Sequence, residues 1–284
     1  MILPVLVWYL IFCYVPMYGV IYAFKEFSFS KGIGSPWVGL ANFTTLFSDT
    51  TFVNAFRNTF IINSLRIIFG FPIPIIFALL LNEVYNMRFK RIIQTVTYLP
   101  HFISWVALAG ILNTLLALDT GSVNSLLQTL GLGQIDFLMD NRVFRGLLIG
   151  SDIWKEMGWC TIIYLAAIAA IDPSLYEAAV VDGAGRWKRI RYITLPCIQN
   201  TMLIMLILLL GNIMQMGFDQ IYNLYNPIVF ETADILDTYI VRNLMQYPRF
   251  GILAAAGMVK GVLCFGMLVI ANNAVKLFGR EGIY

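Results

Sequence analysis

Long apolar runs alternate with short polar connections along most of this chain. The apolar runs lie near residues 2–24, 60–81, 92–118, 143–171, 198–222 and 251–278. Each run is long enough for the roughly 20 residues that an α-helix needs to cross the hydrocarbon core of a bilayer. No segment has the alternating, roughly ten-residue pattern of a membrane β-barrel. We therefore expect an all-α polytopic membrane protein with about six transmembrane helices in a single domain, residues 1–284.

The composition agrees with this class. Of the 284 residues, 59% are hydrophobic and 12% are charged, whereas soluble domains are about one quarter charged. The net charge is +3, but no clustered basic face with interleaved aromatic residues indicates a nucleic acid partner. The four cysteines are isolated, and the sequence has a single histidine. We therefore expect neither a metal site nor catalytic residues.

The distribution of Lys and Arg predicts the orientation of the chain, because these residues are denser on the cytoplasmic side of membrane proteins. With the N-terminus inside, the inner connections contain Arg88, Lys90, Arg91, Arg186, Lys188, Arg189, Arg191, Lys276 and Arg280. The longer outer loops mix their basic residues with most of the acids. Both termini are therefore predicted to be cytoplasmic.

The fourth and fifth apolar runs are joined by a small basic segment that carries helix start and stop signals. Ser174 and Glu177 have the spacing of a capping box, which predicts a helix start. Gly183 stands where a left-handed residue would end that helix. Residues 186–193 then have the spacing of a second short amphipathic helix, and Pro196 marks the boundary with the next span.

This segment, residues 172–197, has two interpretations by composition. It rests on anionic lipid headgroups, which attract Lys and Arg, or it enters a groove on another protein. The chain has no phosphate-binding loop of the GxxxxGK[ST] type. No nucleotide is therefore expected to bind to this chain, and any source of energy must come from a partner.

The residue pattern of the segment favours a protein partner. Glu177-Ala178-Ala179, then Gly183 after three residues, then Ile193-x-Leu195-Pro196 after nine more resemble the EAA loop of importer-type ATP-binding-cassette permeases. The stretches "WVGLANF" and "GFDQIYNLYNP" are similar to the sugar-transporting branch. "YVPMYGVIYAFKEF" and "TYLPHFISWV" resemble its oligosaccharide and polysaccharide subgroup.

The resemblance implies a permease subunit in the cell membrane of a prokaryote, which imports an oligosaccharide or a polysaccharide fragment by alternating access. It implies a homologous second permease subunit, two ATPase subunits that hold ATP and Mg, and an extracellular solute-binding protein. In the coupling loop it implies that Glu177 and Asp182 contact the ATPase, Ala178 and Ala179 pack in its cleft, Gly183 makes the turn and Arg186 lies at the rim.

Polar residues inside the fourth run are candidates for the sugar path. Asp152, Lys155, Glu156 and Trp159 fall at i, i+3, i+4 and i+7, which predicts one helix face. A sugar stacks its apolar face on an aromatic ring and bonds its hydroxyls to acids, amides and Lys. Alternatively, Asp152 and Lys155 neutralise each other at a packing contact, or the helix starts only near Met157 with its charges in water.

The fifth run contains a second polar stripe. Asn212, Gln215 and Asp219 recur at i, i+3 and i+7, which on a continuous helix is one face. Hydrogen bonding between helices is the alternative role. In related sugar permeases the helix after the EAA loop lines the substrate path, so the resemblance favours contact with the sugar.

Three further polar residues lie in or beside apolar runs. Arg66 and Lys260 are deep enough in theirs either to line a path or to pair with a neighbour. His101 follows Pro100, and we expect it to bond a carbonyl that the proline frees.

A different class of protein fits some of these features. In an ion- or proton-coupled secondary transporter, Asp152, Glu156 or Asp219 would carry the ion. Such transporters usually contain inverted repeats with broken helices, and no internal repeat is evident in this sequence.

Overall fold

In the computed structural model, which describes residues 2–277, the chain is helical throughout. Its strand-like element among these residues is an isolated bridge between Lys25 and Trp37. The first half of the chain contains helices α1 (Leu3–Tyr9), α2 (Val15–Met17), α3 (Ala41–Ser48), α4 (Thr50–Leu65), α5 (Pro72–Asn82), α6 (Met87–Tyr98), α7 (Trp105–Leu116) and α8 (Ser122–Thr129). The second half contains α9 (Asn141–Ala169), α10 (Pro173–Val181), α11 (Arg186–Arg189), α12 (Leu195–Gly211), α13 (Phe218–Leu224), α14 (Phe230–Ala233), α15 (Leu236–Gln246) and α16 (Phe250–Leu277). The all-α fold class is thus confirmed.

Short π and 3₁₀ segments connect several of these helices. The π segments are Leu10–Tyr14, Arg66–Gly70 and Ile190–Thr194, and the 3₁₀ segments are Tyr18–Phe24, Gly32–Gly34, Leu99–Phe102, Ile213–Gln215 and Pro227–Val229. Each π segment is followed within two residues by a proline. A proline inside a helix removes one amide donor and clashes with the carbonyl one turn earlier. The wider π turn accommodates the proline, so the helical rod continues through it.

Joining these pieces gives the candidate membrane spans. Within the described part of the chain, four continuous helices are long and apolar enough: Leu3–Phe24, Thr50–Asn82, Arg186–Gly211 and Phe250–Ile270. Two bent pairs also qualify, Met87–Phe102 with Trp105–Leu116 and Asn141–Ala169 with Pro173–Val181, bent by 105° and 70°. Counting each pair once gives six spans, the number predicted from hydropathy. The predicted end of the sixth run at residue 278 and the predicted inner residue Arg280 lie outside the described residues.

The limits of two spans differ by about ten residues or more from those predicted. The second begins at Thr50, ten residues before residue 60, because Asp49 caps it by accepting a hydrogen bond from the Thr51 amide. The fifth runs over Arg186–Gly211 instead of 198–222. Its start is displaced because the π segment carries the helix through Pro196, and its end because Gly217 is left-handed, with φ of 88°.

The buried core is divided into three clusters along the spans. The middle cluster packs Phe144 and Leu148 of α9 against Ile221 of α13. The cluster on the predicted outer side joins α3, α4, α15 and α16. The cluster near the predicted inner side joins α5, α9 and α12. Gly158 of α9 lies so close to the Thr97 carbonyl of α6 that a Cβ atom there would overlap it, so α6 and α9 pack backbone to backbone, as small residues permit in membrane helices.

Candidate functional site

The predicted coupling loop is an ordered helix with strong end signals. Asp172 is the N-cap of α10, and its carboxylate accepts a hydrogen bond of 2.9 Å from the Ser174 amide. The prediction that Ser174 itself caps the helix is wrong. Pro173 occupies the first turn, where a proline is favourable because no amide is needed, so the cap falls one residue before it. These bonds from Ser174 lower the pKa of the exposed Asp172 carboxyl.

The other end of α10 confirms the predicted glycine turn. Gly183 has φ of 74°, a conformation that costs other L-residues energy. Its amide donates to the Val180 carbonyl at 3.0 Å, and the Ala184 amide donates to the Ala179 carbonyl at 2.8 Å. This pair of bonds is a Schellman motif, which satisfies the last carbonyls of the helix. Gly183 is therefore required by its backbone conformation, since a Cβ atom there would meet nothing within 4 Å.

The loop helix buries none of its side chains within this chain. Glu177, Ala178 and Asp182 are exposed, Ala179 is half-buried, and Val181 is 87% exposed. A capped, apolar helix face without a covering element in its own chain is typical of an interaction surface. The assignment of these residues to an ATPase contact stays a prediction.

Beyond the turn, the predicted second short helix is present as α11 and the π segment after it, but it is continuous with the fifth span. Arg186 begins the rod that continues to Gly211. The Arg186 side chain lies 3.8 Å from the Glu83 carboxylate and 5.3 Å from the centre of the Tyr85 ring. The turn thus leads directly into the fifth span, and Arg186 contacts Glu83 and Tyr85, which directly follow the second span.

The fourth span is continuous over Asn141–Ala169, so the alternative start near Met157 is wrong. Its charges face two different neighbours. Asp152 pairs with Arg66 of the second span at 3.8 Å. Lys155 is 5% exposed, and its ammonium donates to the carbonyl of His101 at 2.6 Å. Asp152 and Lys155 therefore do not neutralise each other.

The region around His101 forms a polar and aromatic cluster. The third span breaks after Phe102, which leaves the His101 carbonyl without an amide of the next turn. Lys155 bonds that carbonyl. The expectation that the His101 ring bonds a carbonyl freed by Pro100 is wrong, because its ring partner is a carboxylate. Instead, the His101 ring bonds Glu156 at 2.8 Å and stacks on Trp159 with centroids 4.5 Å apart. The outer face of Trp159 remains partly exposed.

The predicted stripe on the fifth span is not a helix face. α12 ends at Gly211, Asn212 is its C-cap, and the helix resumes only at Phe218. Asn212, Gln215 and Asp219 are all exposed, but they lie on three different pieces of backbone. The helix is interrupted here because Gly217 has a left-handed backbone conformation. The Arg66 guanidinium packs beside Gly217 and leaves no room for a Cβ atom. Their role as sugar contacts remains a prediction.

A set of buried polar side chains connects the second span, the fourth span and α13, which follows the predicted polar stripe residues Asn212 and Gln215. Arg66, 2% exposed, bonds Gln220, which has no exposed surface. Gln220 in turn donates to the Ser151 hydroxyl at 2.8 Å, and Asn63 bonds the Ile213 carbonyl. With Asp152, these residues form the Arg66 cluster: Asn63, Arg66, Ser151, Asp152 and Gln220. Neither Gln220 nor Asn63 was predicted from the sequence. Asn63 could have been identified, because it lies three residues before Arg66 in an apolar helix.

The predicted outer side contains a further acid and phenol pair. The Tyr239 hydroxyl donates to the Asp49 carboxylate at 2.7 Å. Burial, and then this bond to an acceptor, raise the pKa of Tyr239. Burial alone would raise the pKa of Asp49, but hydrogen bonds from Thr51 and Tyr239 lower it. This pair joins the start of the second span to α15.

Among the described residues no group of His, Cys, Asp and Glu is arranged to hold a metal ion.

The helical spans and the exposed, capped loop define a polytopic permease that works with partner proteins. The chain belongs to the family described as binding-protein-dependent transport system inner membrane component, whose model matches residues 70–277. It is thus a transport component and not an enzyme. Membership of this family argues against the ion-coupled secondary transporter.

Individual relatives match almost the whole chain. The polygalacturonan/rhamnogalacturonan transport system permease protein YteP of Bacillus subtilis is 44% identical, over 100% of this chain and 89% of that protein. Protein LplB of the same organism is 41% identical, over 100% and 90%. Among solved structures, a bacterial alginate ABC transporter in complex with alginate pentasaccharide-bound periplasmic protein is similar with a TM-score of 0.92 and 43% identity, over 100% of this chain and 95% of that chain.

Proposed function

We propose that this chain is one of two permease subunits of an ATP-driven importer for an oligosaccharide or polysaccharide fragment. The observation that carries the proposal is the coupling loop, an ordered α10 whose caps are complete and whose side chains are not buried in this chain. A helix of this length is marginal alone in water, so its exposed face supports docking to a partner. We infer that the partner is an ATPase subunit, which supplies ATP and Mg.

The sugar path is proposed to run past the His101 and Trp159 stack. Trp159 offers an aromatic face, and Glu156 beside it accepts hydrogen bonds, the combination that sugar recognition needs. Asn212, Gln215 and Asp219 remain proposed contacts on the outer segment that follows α12. Lys155 and Asp152 support the path indirectly, because their charged groups are already engaged by His101 and Arg66.

The class of sugar follows from the relatives. These relatives are transporters of polygalacturonan and rhamnogalacturonan or of the acidic polysaccharide alginate. Each of these polymers contains a carboxylate-bearing sugar. An acidic oligosaccharide is therefore the proposed cargo. A solute-binding protein outside would deliver it, and both termini of the permease would be cytoplasmic.

Reconstitution of the complete transporter tests this function. The two permeases, the ATPase and the solute-binding protein would be placed in vesicles with labelled oligogalacturonate, oligoalginate or a neutral oligosaccharide. We expect uptake of an acidic oligosaccharide that requires both ATP and the binding protein. Uptake that follows an ion gradient without the ATPase would contradict the proposal.

A further inference from the structure

A pocket of about 210 Å³ lies between the inner end of the second span and the coupling loop. It is lined by Asn82, Glu83, Val84, Tyr85, Tyr176 and Arg189. Asn82 is the last residue of the second candidate span, and Arg189 is in the first turn of the fifth. The pocket is therefore at the depth where two spans leave the membrane, which is where lipid headgroups lie.

Arg189 is the basic residue of this pocket. Its Nε atom is buried and has no hydrogen-bond partner within the described residues. A buried N–H group without an acceptor is costly, and such groups normally have a partner in the protein or in what binds to it. The Nε atom itself is enclosed by protein, so an acceptor from outside this chain would bind the terminal N–H groups of Arg189, which make no hydrogen bond among the described residues.

The charge around the pocket fits an anion. Glu83 is the acidic residue in its lining, and Arg186 lies 3.8 Å from that carboxylate, so the charge of Arg189 is left without a counterion in the lining. The Tyr85 hydroxyl and the Asn82 amide add neutral polar groups, whereas the Tyr176 hydroxyl already shares a hydrogen bond of 2.9 Å with the Thr194 hydroxyl. A guanidinium with hydroxyl and amide donors is the donor set that phosphate oxygens accept.

The surroundings favour a lipid as the source of this phosphate. Trp187 and Tyr192, which flank Arg189, are 76% and 72% exposed, and Trp and Tyr are enriched at the headgroup level of membranes. Basic pockets between spans on the cytoplasmic side bind anionic headgroups. A soluble phosphate would gain nothing from these flanking rings, whereas a lipid places its acyl chains against them.

We propose that this pocket binds the phosphate of an anionic phospholipid, with Arg189 as its main ligand. The site holds the lipid at the base of the coupling loop, beneath the surface proposed for the ATPase. This proposal rests on the proposed function in one respect, which is the orientation of the chain. In that orientation this end of the spans faces the anionic inner leaflet. An acidic side chain of the ATPase is a different occupant, and the experiment below separates the two.

The test uses the assembled transporter in nanodiscs of phosphatidylcholine with increasing phosphatidylglycerol, and native mass spectrometry to count bound phosphatidylglycerol. We expect Arg189→Gln to need roughly fivefold more phosphatidylglycerol for the same occupancy, the effect of losing about one net hydrogen bond to the phosphate in the pocket. Lys188→Gln is the matched control, because Lys188 is an exposed neighbour that does not line the pocket. It should bind like the wild type, and Arg189→Lys should lose less than Arg189→Gln.

Three outcomes would overturn the proposal. Equal binding by Arg189→Gln and the wild type would remove Arg189 from any lipid site. Displacement of the lipid by millimolar inorganic phosphate would assign the pocket to a free anion. Loss of ATPase copurification in Arg189→Gln with unchanged lipid binding would assign it to the ATPase. Lipid binding is counted without sugar or nucleotide, so it succeeds or fails separately from the importer function.

Discussion

The coupling loop and the Arg66 cluster lie at opposite extremes of side-chain burial. α10 buries none of its side chains, and its order depends on backbone caps at Asp172 and Gly183. Arg66 and Gln220 are almost wholly buried, and their order depends on bonds that connect the second span, the fourth span and α13. We therefore expect the loop to tolerate changes in its side chains better than changes in its backbone. In the Arg66 cluster, changes in the side chains should be the more damaging.

The largest effect is expected from removing the charge at the centre of the cluster. Arg66→Met leaves Asp152 and Gln220 without their partner inside the spans, and breaking a buried ion pair costs about 3–5 kcal/mol. We expect a sharply reduced yield of folded protein and a lower melting temperature in detergent. Arg57→Met is the control, since Arg57 is exposed on the same helix. Equal melting of the two variants would show that the cluster contributes nothing to stability.

A smaller effect is expected at the glycine that makes room for the cluster. Gly217→Ala places a Cβ atom on the Arg66 guanidinium and forces an L-residue to positive φ, which costs about 1–2 kcal/mol for the backbone alone. Gly211→Ala, with nothing within 4 Å of its Cβ position, should not destabilise the protein. The measurement is again thermal melting, and a neutral Gly217→Ala would contradict the close approach of Arg66.

In the loop, the corresponding variant should change assembly more than folding. Gly183→Ala strains a turn with φ of 74° by about 1–2 kcal/mol, and this strain is local because no side chain packs on it. We expect normal insertion and binding of the second permease, but weaker copurification of the ATPase and slower uptake. Gly185→Ala is the control, because Gly185 has φ of −67° and open surroundings. Wild-type copurification by Gly183→Ala would remove the loop from the ATPase contact.

The smallest effect distinguishes the two candidate caps of α10. Asp172→Ala should destabilise the loop by about 1 kcal/mol, whereas Ser174→Ala should be nearly neutral because Ser174 only donates its amide to Asp172. Hydrogen exchange of the α10 amides measures both. Faster exchange in Ser174→Ala than in Asp172→Ala would restore the serine cap that the sequence alone suggested.

The same contrast explains what sequence could predict. Hydropathy gave the number of spans, and the glycine turn at Gly183 followed from local spacing, because both depend on neighbouring residues. The cap was misplaced by two residues because a proline at the first helical position competes with the capping box signal. The break at Gly217 was not predicted because it depends on packing against Arg66, which lies 151 residues earlier in the chain (217 − 66 = 151). The partners of Lys155 were missed for the same reason, since they lie on the broken third span.

The continuous helix from Arg186 to Gly211 connects the coupling loop to the segment that leads to Gly217. Its 26 residues make a rod of about 39 Å at 1.5 Å per residue. A tilt of about 10° at the loop would therefore displace the far end by about 7 Å on that length. The π segment Ile190–Thr194 before Pro196 is the part of this helix that bends most easily, because it lacks the regular α-helical hydrogen-bond pattern. Beyond the far end of the rod lies Gly217, and the Arg66 guanidinium packed against it leaves no room for a side chain at that position.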